Sequence, residues 1–313
     1  MPVKTDTSRQ RVCALDLGSR NFKAVIGFRN GGSVVSRLLC KHTMHLGKEI
    51  ADNGGVIGSA KLAEVRDALE ALVDVCRQEG ASTTLGIATR AVREARNGAD
   101  VVALAVALGI DVEIADGPRE AAVGYLAATG GAANRLVSDF GSLSLQIAWR
   151  LAGPLETGYV ACGYEDAYTG HLHGAPDFAA ARRSLVGFLG DNVPPLPHSE
   201  QLICLNANTM ACYVTGKEKS EITGRPLERG ALTSRIRALE ALSGPDYRAL
   251  LEELPKAHKV LPGLILVDYL LESTGHSQAL IAEAELPAGL IVEHFLIDDR
   301  ARESAPGYGS PAR

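Results

Sequence analysis

A chain of 313 residues exceeds the usual size of one hydrophobic core, so two domains are expected. Hydrophobic residues make up 46% and charged residues 22%, which excludes a disordered or fibrous protein. A net charge of -5 without a basic block argues against nonspecific nucleic-acid binding, although a local basic cleft for a small polyanion stays open. The start "MPVKTDTSRQR" lacks an apolar signal core, and no run approaches the ~20 apolar residues that cross a bilayer, so a soluble, cytoplasmic protein with no membrane partner is expected. Cys13, Cys40, Cys76, Cys162, Cys204 and Cys212 form no C-x-x-C pair and read as reduced, buried thiols.

In chain order, residues 12–16 and 22–28 read as strands around an Asp-x-Gly turn, and "GSVVSRLLCKHTM" as a further strand or two. From Ser59, a candidate N-cap, Leu62, Val65, Leu69, Leu72, Val73 and Cys76 fall on one helical face that ends at Gly80. "TLGIAT" is a strand, 99–108 a helix, "DVEIAD" a strand, and 118–128 a helix opening at Pro118, in the favoured first position. The second half repeats the scheme: strands around 135–162, a helix near 177–189, a strand "QLICLN", then helices filling 209–280. "LGDNVPPLPHS" reads as a connector, "TGKEKSEITGRP" as a charged loop and "DDRARESAPGYGSPAR" as a frayed tail. Such alternation predicts α/β layers with mixed sheets. The expected division is 1–117, with about 292–313 packing back on it, and 118–291.

The stretch "RLVSDFGSLSLQIAWR" repeats the pattern of "VCALDLGSRNFKAVIG" 123 residues earlier, bringing Asp16 onto Asp139, Gly18 onto Gly141 and Ser19 onto Ser142. A repeat that long relates domains. In a strand, Asp-x-Gly-Ser, strand unit, glycine permits a tight turn with outward amides and the hydroxyl adds a donor, which together make an anion nest beside a carboxylate suited to a metal ion or water. Closure of two hairpins is the plainer reading, and the matched pair weighs against it.

With "ATRAVREARNG", "DGPREAAVGYL", "VLPGLILVDYLLESTG" and "AEAELPAGLI", these turns resemble, in order and over residues 12 to about 295, the exopolyphosphatase and guanosine pentaphosphate phosphohydrolase (Ppx/GppA) family in its short form. The resemblance implies two related actin-like α/β domains, of the sugar kinase and Hsp70 type, with a cleft between them. It also implies hydrolysis of a terminal phosphoanhydride with Mg²⁺, a homodimer, and polyphosphate, a nucleotide polyphosphate or another phosphorylated small molecule as substrate. Carried over residue by residue, Gly18, Ser19, Lys23, Gly141, Ser142, Ser144 and Thr209 bind phosphate, and Asp16 and Asp139 position metal or water. Glu120 is the base that activates water, and Arg93 forks onto phosphate oxygens. A Glu in a first helical turn also simply complements the helix dipole, and Arg93 has the plain alternative of an exposed helix arginine, as Arg90 does.

Departures concentrate at the phosphate positions. Arg20 and Asn21 replace the family's Asn and Ser; Ser142 and Leu143 replace glycines, Leu145 removes a hydroxyl, and Gln146 replaces a carboxylate, weakening the expected hold on Mg²⁺. "LNANTMA" stands for a Gly-Gly-Thr turn, His45 for an Arg, and "KAH" at 256–258 for Arg-Ala-Asp. Two rivals therefore stay open: a catalytically silent phosphate or nucleotide sensor, and a transferase on the same fold with a pocket walled by "HLHGAPDF". His171 with His173, read on one side of a strand, and His42 with His45 lack a third ligand at zinc spacing. Lys217 and Lys219 in "GKEKS" read as a solvated loop or as a contact for an anionic tail.

Overall fold

A computed structural model describes residues 10–304. The chain runs through β1 (Arg11–Leu17), β2 (Asn21–Asn30), β3 (Ser33–Thr43), α1 (Leu46–Asp52), α2 (Ser59–Gln78), β4 (Thr83–Ala88), α3 (Arg90–Glu94), α4 (Gly98–Ala107), β5 (Asp111–Ile114) and α5 (Gly117–Thr129). It continues through β6 (Arg135–Phe140), β7 (Leu145–Arg150), β8 (Glu156–Val160), α6 (Tyr164–Ala167), a π-helical turn Tyr168–Leu172, α7 (Phe178–Asn192), β9 (Gln201–Leu205) and α8 (Asn208–Thr215). Then come α9 (Lys219–Ile222), β10 (Arg225–Glu228), α10 (Arg229–Glu240), α11 (Gly244–Glu253), α12 (Ala257–Thr274), β11 (Gln278–Ala282) and α13 (Leu286–Ser304). The tail read as frayed is helical as far as Ser304, and beyond that it lies outside the described residues.

Among the described residues, 10–131 and 285–304 make one compact unit and 132–284 the other. In the first, the strand order is β3-β2-β1-β4-β5, with β1 antiparallel to β2 and parallel to β4. In the second it is β8-β7-β6-β9-β11-β10, the same plan with β10 added antiparallel at the edge. The 123-residue repeat is thus a repeat of register. Asp16 lies opposite Lys23 and Ile87, and Asp139 opposite Gln146 and Leu205.

Side chains of β1 alternate between two cores, as the pleat requires. Cys13, Leu15 and Leu17 pack with Leu69, Leu72 and Cys76 of α2 and Val101 and Ala105 of α4. Val12 and Ala14 pack with Val123 of α5 and Leu290, Ile291 and Phe295 of α13, so Asp16 continues the face that α5 and α13 cover. α13 seats closely because a Cβ on Gly289 would lie 2.0 Å from the Val123 carbonyl oxygen, and one on Gly27 2.8 Å from Ile291. Helix α5, which the sequence reading places in the second domain, joins the first unit through this packing.

Several local expectations shift. Gly58, not Ser59, caps α2. Asp116 caps α5 by accepting the Arg119 amide at 2.8 Å, which puts Gly117 inside the helix and Pro118 second in it. The stretch read as filled by helices over 209–280 also holds β10 and the start of β11, whose backbone finds ladder partners that no local pattern announces, and "TGKEKSEITGRP" holds α9 and the start of β10. All six cysteines are free; Cys40 and Cys212 are half-buried and the rest buried.

In the second unit, Leu136, Phe140, Leu145, Ile147 and Trp149 pack on α7 and α12. Helix α12 is buried on nearly every side, from Val260 to Leu271, and so shows little amphipathic pattern. Behind it, His276 stacks on His198 at 4.6 Å, with its ring nitrogens 2.7 Å from Thr274 Oγ1 and 2.9 Å from the Ser199 carbonyl oxygen. Burial, reinforced by His198 and opposed by the Ser199 carbonyl, lowers the His276 pKa below 6.5. The unfolded chain therefore binds the proton first, so this contribution is complete above about pH 6.5 and is lost as pH falls toward the folded value. Urea midpoints between pH 5 and 7.5 are expected to drop on the acid side, and a His276→Gln variant to show a flatter profile.

No helix among the described residues is long and apolar enough to cross a membrane.

Candidate functional site

The first elbow joins β1 to β2. Its Gly18 amide donates to the Asn21 carbonyl at 3.2 Å, and a Cβ on Gly18 would lie 3.0 Å from that oxygen and 3.3 Å from Asp16 Oδ1. The chain beyond β3 supports the elbow from behind: Gly47 N donates to the Ser19 carbonyl at 2.9 Å, and Met44 N and His45 N to the Arg20 carbonyl at 2.8 and 3.1 Å. His45, at the position read as a replaced arginine, adopts a left-handed φ of 51° and contributes through its backbone. Asp16, Gly18 and Ser19 are half-buried.

The second elbow, 123 residues on, closes in the same way. Gly141 N donates to the Ser144 carbonyl at 2.9 Å, and Glu165 N and Tyr164 N, beyond β8, donate to the Ser142 and Gly141 carbonyls at 3.1 and 3.0 Å. In both elbows the glycine amide is committed to its own turn. The expectation of outward glycine amides therefore gives way, and donation to an anion falls to the serines and the following backbone. Ser144 and Gln146 are buried, and Gln146 Nε2 donates to Ser144 Oγ at 2.7 Å, tying the amide to the hydroxyl of its own elbow. Asp139 Oδ1 accepts from Asn206 Nδ2 at 2.6 Å. Behind the elbow, Tyr164 packs against His258 at 5.8 Å and carries Lys259 Nζ over its ring at 4.5 Å, which accounts for the "KAH" segment as packing.

Sequence reasoning missed Gly163 and Asn206. A Cβ on Gly163 would lie 2.1 Å from the Ser142 carbonyl oxygen. Asn206, with φ 60°, takes the left-handed position of a turn whose family glycines were sought at Ala207 and Asn208. Asn just after "QLICL" was the available signal. Thr209 follows in the first turn of α8, half-buried, beside buried Asn208, whose Nδ2 donates to Glu283 at 2.9 Å.

Two arginines of the first unit, Arg93 and Arg119, make ion pairs at the start of α5. Glu120, in its first turn, is 8% exposed, and its Oε1 accepts from Arg93 Nη1 at 2.9 Å. The same nitrogen donates to the Ala115 carbonyl just past β5, so Arg93 ties α3 to the start of α5. A second tie comes from Arg119, which forks onto Glu293 of α13 at 2.7 and 2.5 Å and reaches Glu113 of β5 at 2.9 Å. Lys23 Nζ meets Glu285 Oε2 at 2.5 Å, and Arg90 pairs with Glu94 one helical turn on.

Other candidates fall outside this arrangement. His171 and His173 lie on the π-helical turn and just beyond it, not on a strand: His171 Nδ1 meets Ser184 Oγ at 2.9 Å on α7, while His173 packs on Tyr168. Lys219 pairs with Glu283. Among the described residues, no three His, Cys, Asp or Glu side chains converge as a metal site.

Two units built on one topological plan, each with an aspartate and a glycine elbow at the end of its first strand, define the actin-like class of α/β proteins. Residues 29–153 match the model of the Ppx/GppA phosphatase family. No curated protein matches the sequence. The fold is similar to the Ppx/GppA family member of Aquifex aeolicus, with TM-score 0.76 and 16% identity over 93% of this chain and 99% of that one. It is also similar to an exopolyphosphatase from Cytophaga hutchinsonii, with TM-score 0.67 and 18% identity over 93% and 98% of the two chains. The family resemblance read from the sequence is thus borne out, by the family model over residues 29–153 and by the fold over most of the chain.

Proposed function

We propose that this protein is a phosphohydrolase that removes the terminal phosphoryl group of a polyphosphate or nucleotide polyphosphate by water attack. The reading rests on Glu120, a buried carboxylate held by Arg93 at the first turn of α5. A glutamate that only complemented a helix dipole would ordinarily face solvent. Orientation is what a general base requires, because it must meet the water proton within hydrogen-bond distance.

In this mechanism Glu120 accepts the proton as the water oxygen bonds to phosphorus, and the bridging P–O bond breaks toward the leaving phosphate. Arg93 and Lys23 offset charge on the transferring group, and Ser19 with the backbone of the first elbow donates to its oxygens. The same reading gives Ser142 and Thr209, in the second unit, a phosphate-binding role, with Asp139 beside them.

Mg²⁺ is held in such sites by one or two carboxylates together with phosphate oxygens and water. The donor set fits that sparse pattern and no richer one: Asp16 leans over Gly18, and Asp139 already accepts one bond from Asn206. Within its own unit, each aspartate is a candidate holder of such an ion, whose contribution would be charge neutralisation on the phosphate.

One observation favours a second reading, a silent phosphate binder: the bond between Gln146 and Ser144 engages that hydroxyl within the protein. Phosphate release from polyphosphate, guanosine pentaphosphate and nucleoside triphosphates separates the two, since ligand-induced thermal stabilisation without turnover leaves only the binder. Ser19→Ala and Ser142→Ala provide a further check. Each substitution is expected to weaken phosphate binding by about 0.5–1.5 kcal/mol, and unchanged binding by either variant removes that serine from the role.

A further inference from the structure

Both cations assigned to the first unit's site are matched by carboxylates of the same unit. Arg93 meets Glu120, and Lys23, directly across the β1–β2 ladder from Asp16, meets Glu285 at 2.5 Å. Glu285 immediately precedes α13, whose close docking through Gly27 and Gly289 fixes where that carboxylate stands. Each of the two cations therefore meets a carboxylate, and Asp16 stands across the ladder from one of them. Affinity for an anion rises with each of its charges only in proportion to the cationic charge it meets. A lysine already cancelled by a glutamate flattens that rise, and so penalises dense chains more than lightly charged ligands.

We propose that Glu285 is a specificity-determining residue: by holding Lys23 it turns the site toward short phosphoanhydrides and away from long polyphosphate. This rests on the phosphate site proposed above and narrows its substrate class. Glu285 touches no reacting atom in this account and acts through Lys23.

The test is calorimetric titration of the full chain with orthophosphate, tripolyphosphate and long-chain polyphosphate, using wild type, Glu285→Gln, Lys23→Met and the double variant. Glu285→Gln is expected to tighten long-chain polyphosphate about tenfold and tripolyphosphate and orthophosphate less than about threefold, with the gain vanishing in the Lys23→Met background. Glu285→Ser serves the same purpose if the amide disturbs the start of α13. The proposal is overturned if the three anions tighten by the same factor, if the gain survives without Lys23, or if no form binds any of them. Absence of turnover with the expected unequal gains would remove the hydrolase reading alone; turnover with equal gains would remove the role of Glu285 alone.

Discussion

Glu120→Gln is expected to lower the rate of phosphate release by about 10²- to 10⁴-fold with little change in KM, the loss typical of removing a positioned base. Gln is the informative replacement because its amide oxygen still accepts from Arg93 Nη1, so α3, the end of β5 and α5 stay joined. The helix-dipole account predicts otherwise. There, the substitution costs some stability through a weakened ion pair and leaves the chemistry intact, so a wild-type rate from Glu120→Gln removes the residue from the base role. Arg93→Ala should act on both fronts, because it removes an ion pair from a carboxylate only 8% exposed and loosens the start of α5. Urea unfolding beside the rate assay separates the two effects.

The legible and the illegible parts of this molecule differ in the range of the interactions that set them. Helix α2 could be read because its apolar residues recur at helical spacing, and each elbow because Asp-x-Gly breaks an apolar run locally. The repeat could be read to the residue: offset 123 survives as register, as the closing bond of each elbow and in the supported carbonyls of Ser19 and Ser142, although the donors that reach those carbonyls do not keep the offset. Failures came where the deciding partner is distant in sequence. β10 is four residues whose strand character exists only through β11, some fifty positions away. Helix α5 reads as the start of a new domain, yet α13 returns from the end of the chain to claim it. At the site, residue types were visible and their pairings were not. Lys23 and Arg93 read as phosphate ligands, and nothing local disclosed that Glu285 and Glu120 engage them.

Gly163→Ala is expected to be the most damaging single-methyl change in the second unit. The added carbon would sit 2.1 Å from the Ser142 carbonyl oxygen and 2.2 Å from the Leu143 amide nitrogen, both backbone atoms with no rotamer through which to yield. Conformation is not the obstacle, since φ of -94° suits any residue, so the whole cost is steric. Relief requires the β6–β7 elbow and the start of α6 to part, which breaks the bonds from Tyr164 N and Glu165 N and draws Tyr164 away from His258. Overpacking of this kind costs about 1–3 kcal/mol when side chains adjust, and a backbone collision belongs at or beyond the upper end. A fall of more than about 3 kcal/mol in urea unfolding is the expected result, with weakened phosphate binding in whatever folded protein remains. Gly124→Ala, where no atom lies within 4 Å of the added carbon, is the matched control and should be near neutral or slightly stabilising within α5. Equal stability of the two variants would mean that the second elbow does not rest on Gly163, and the shared buttress of the two elbows would lose its meaning as a functional scaffold.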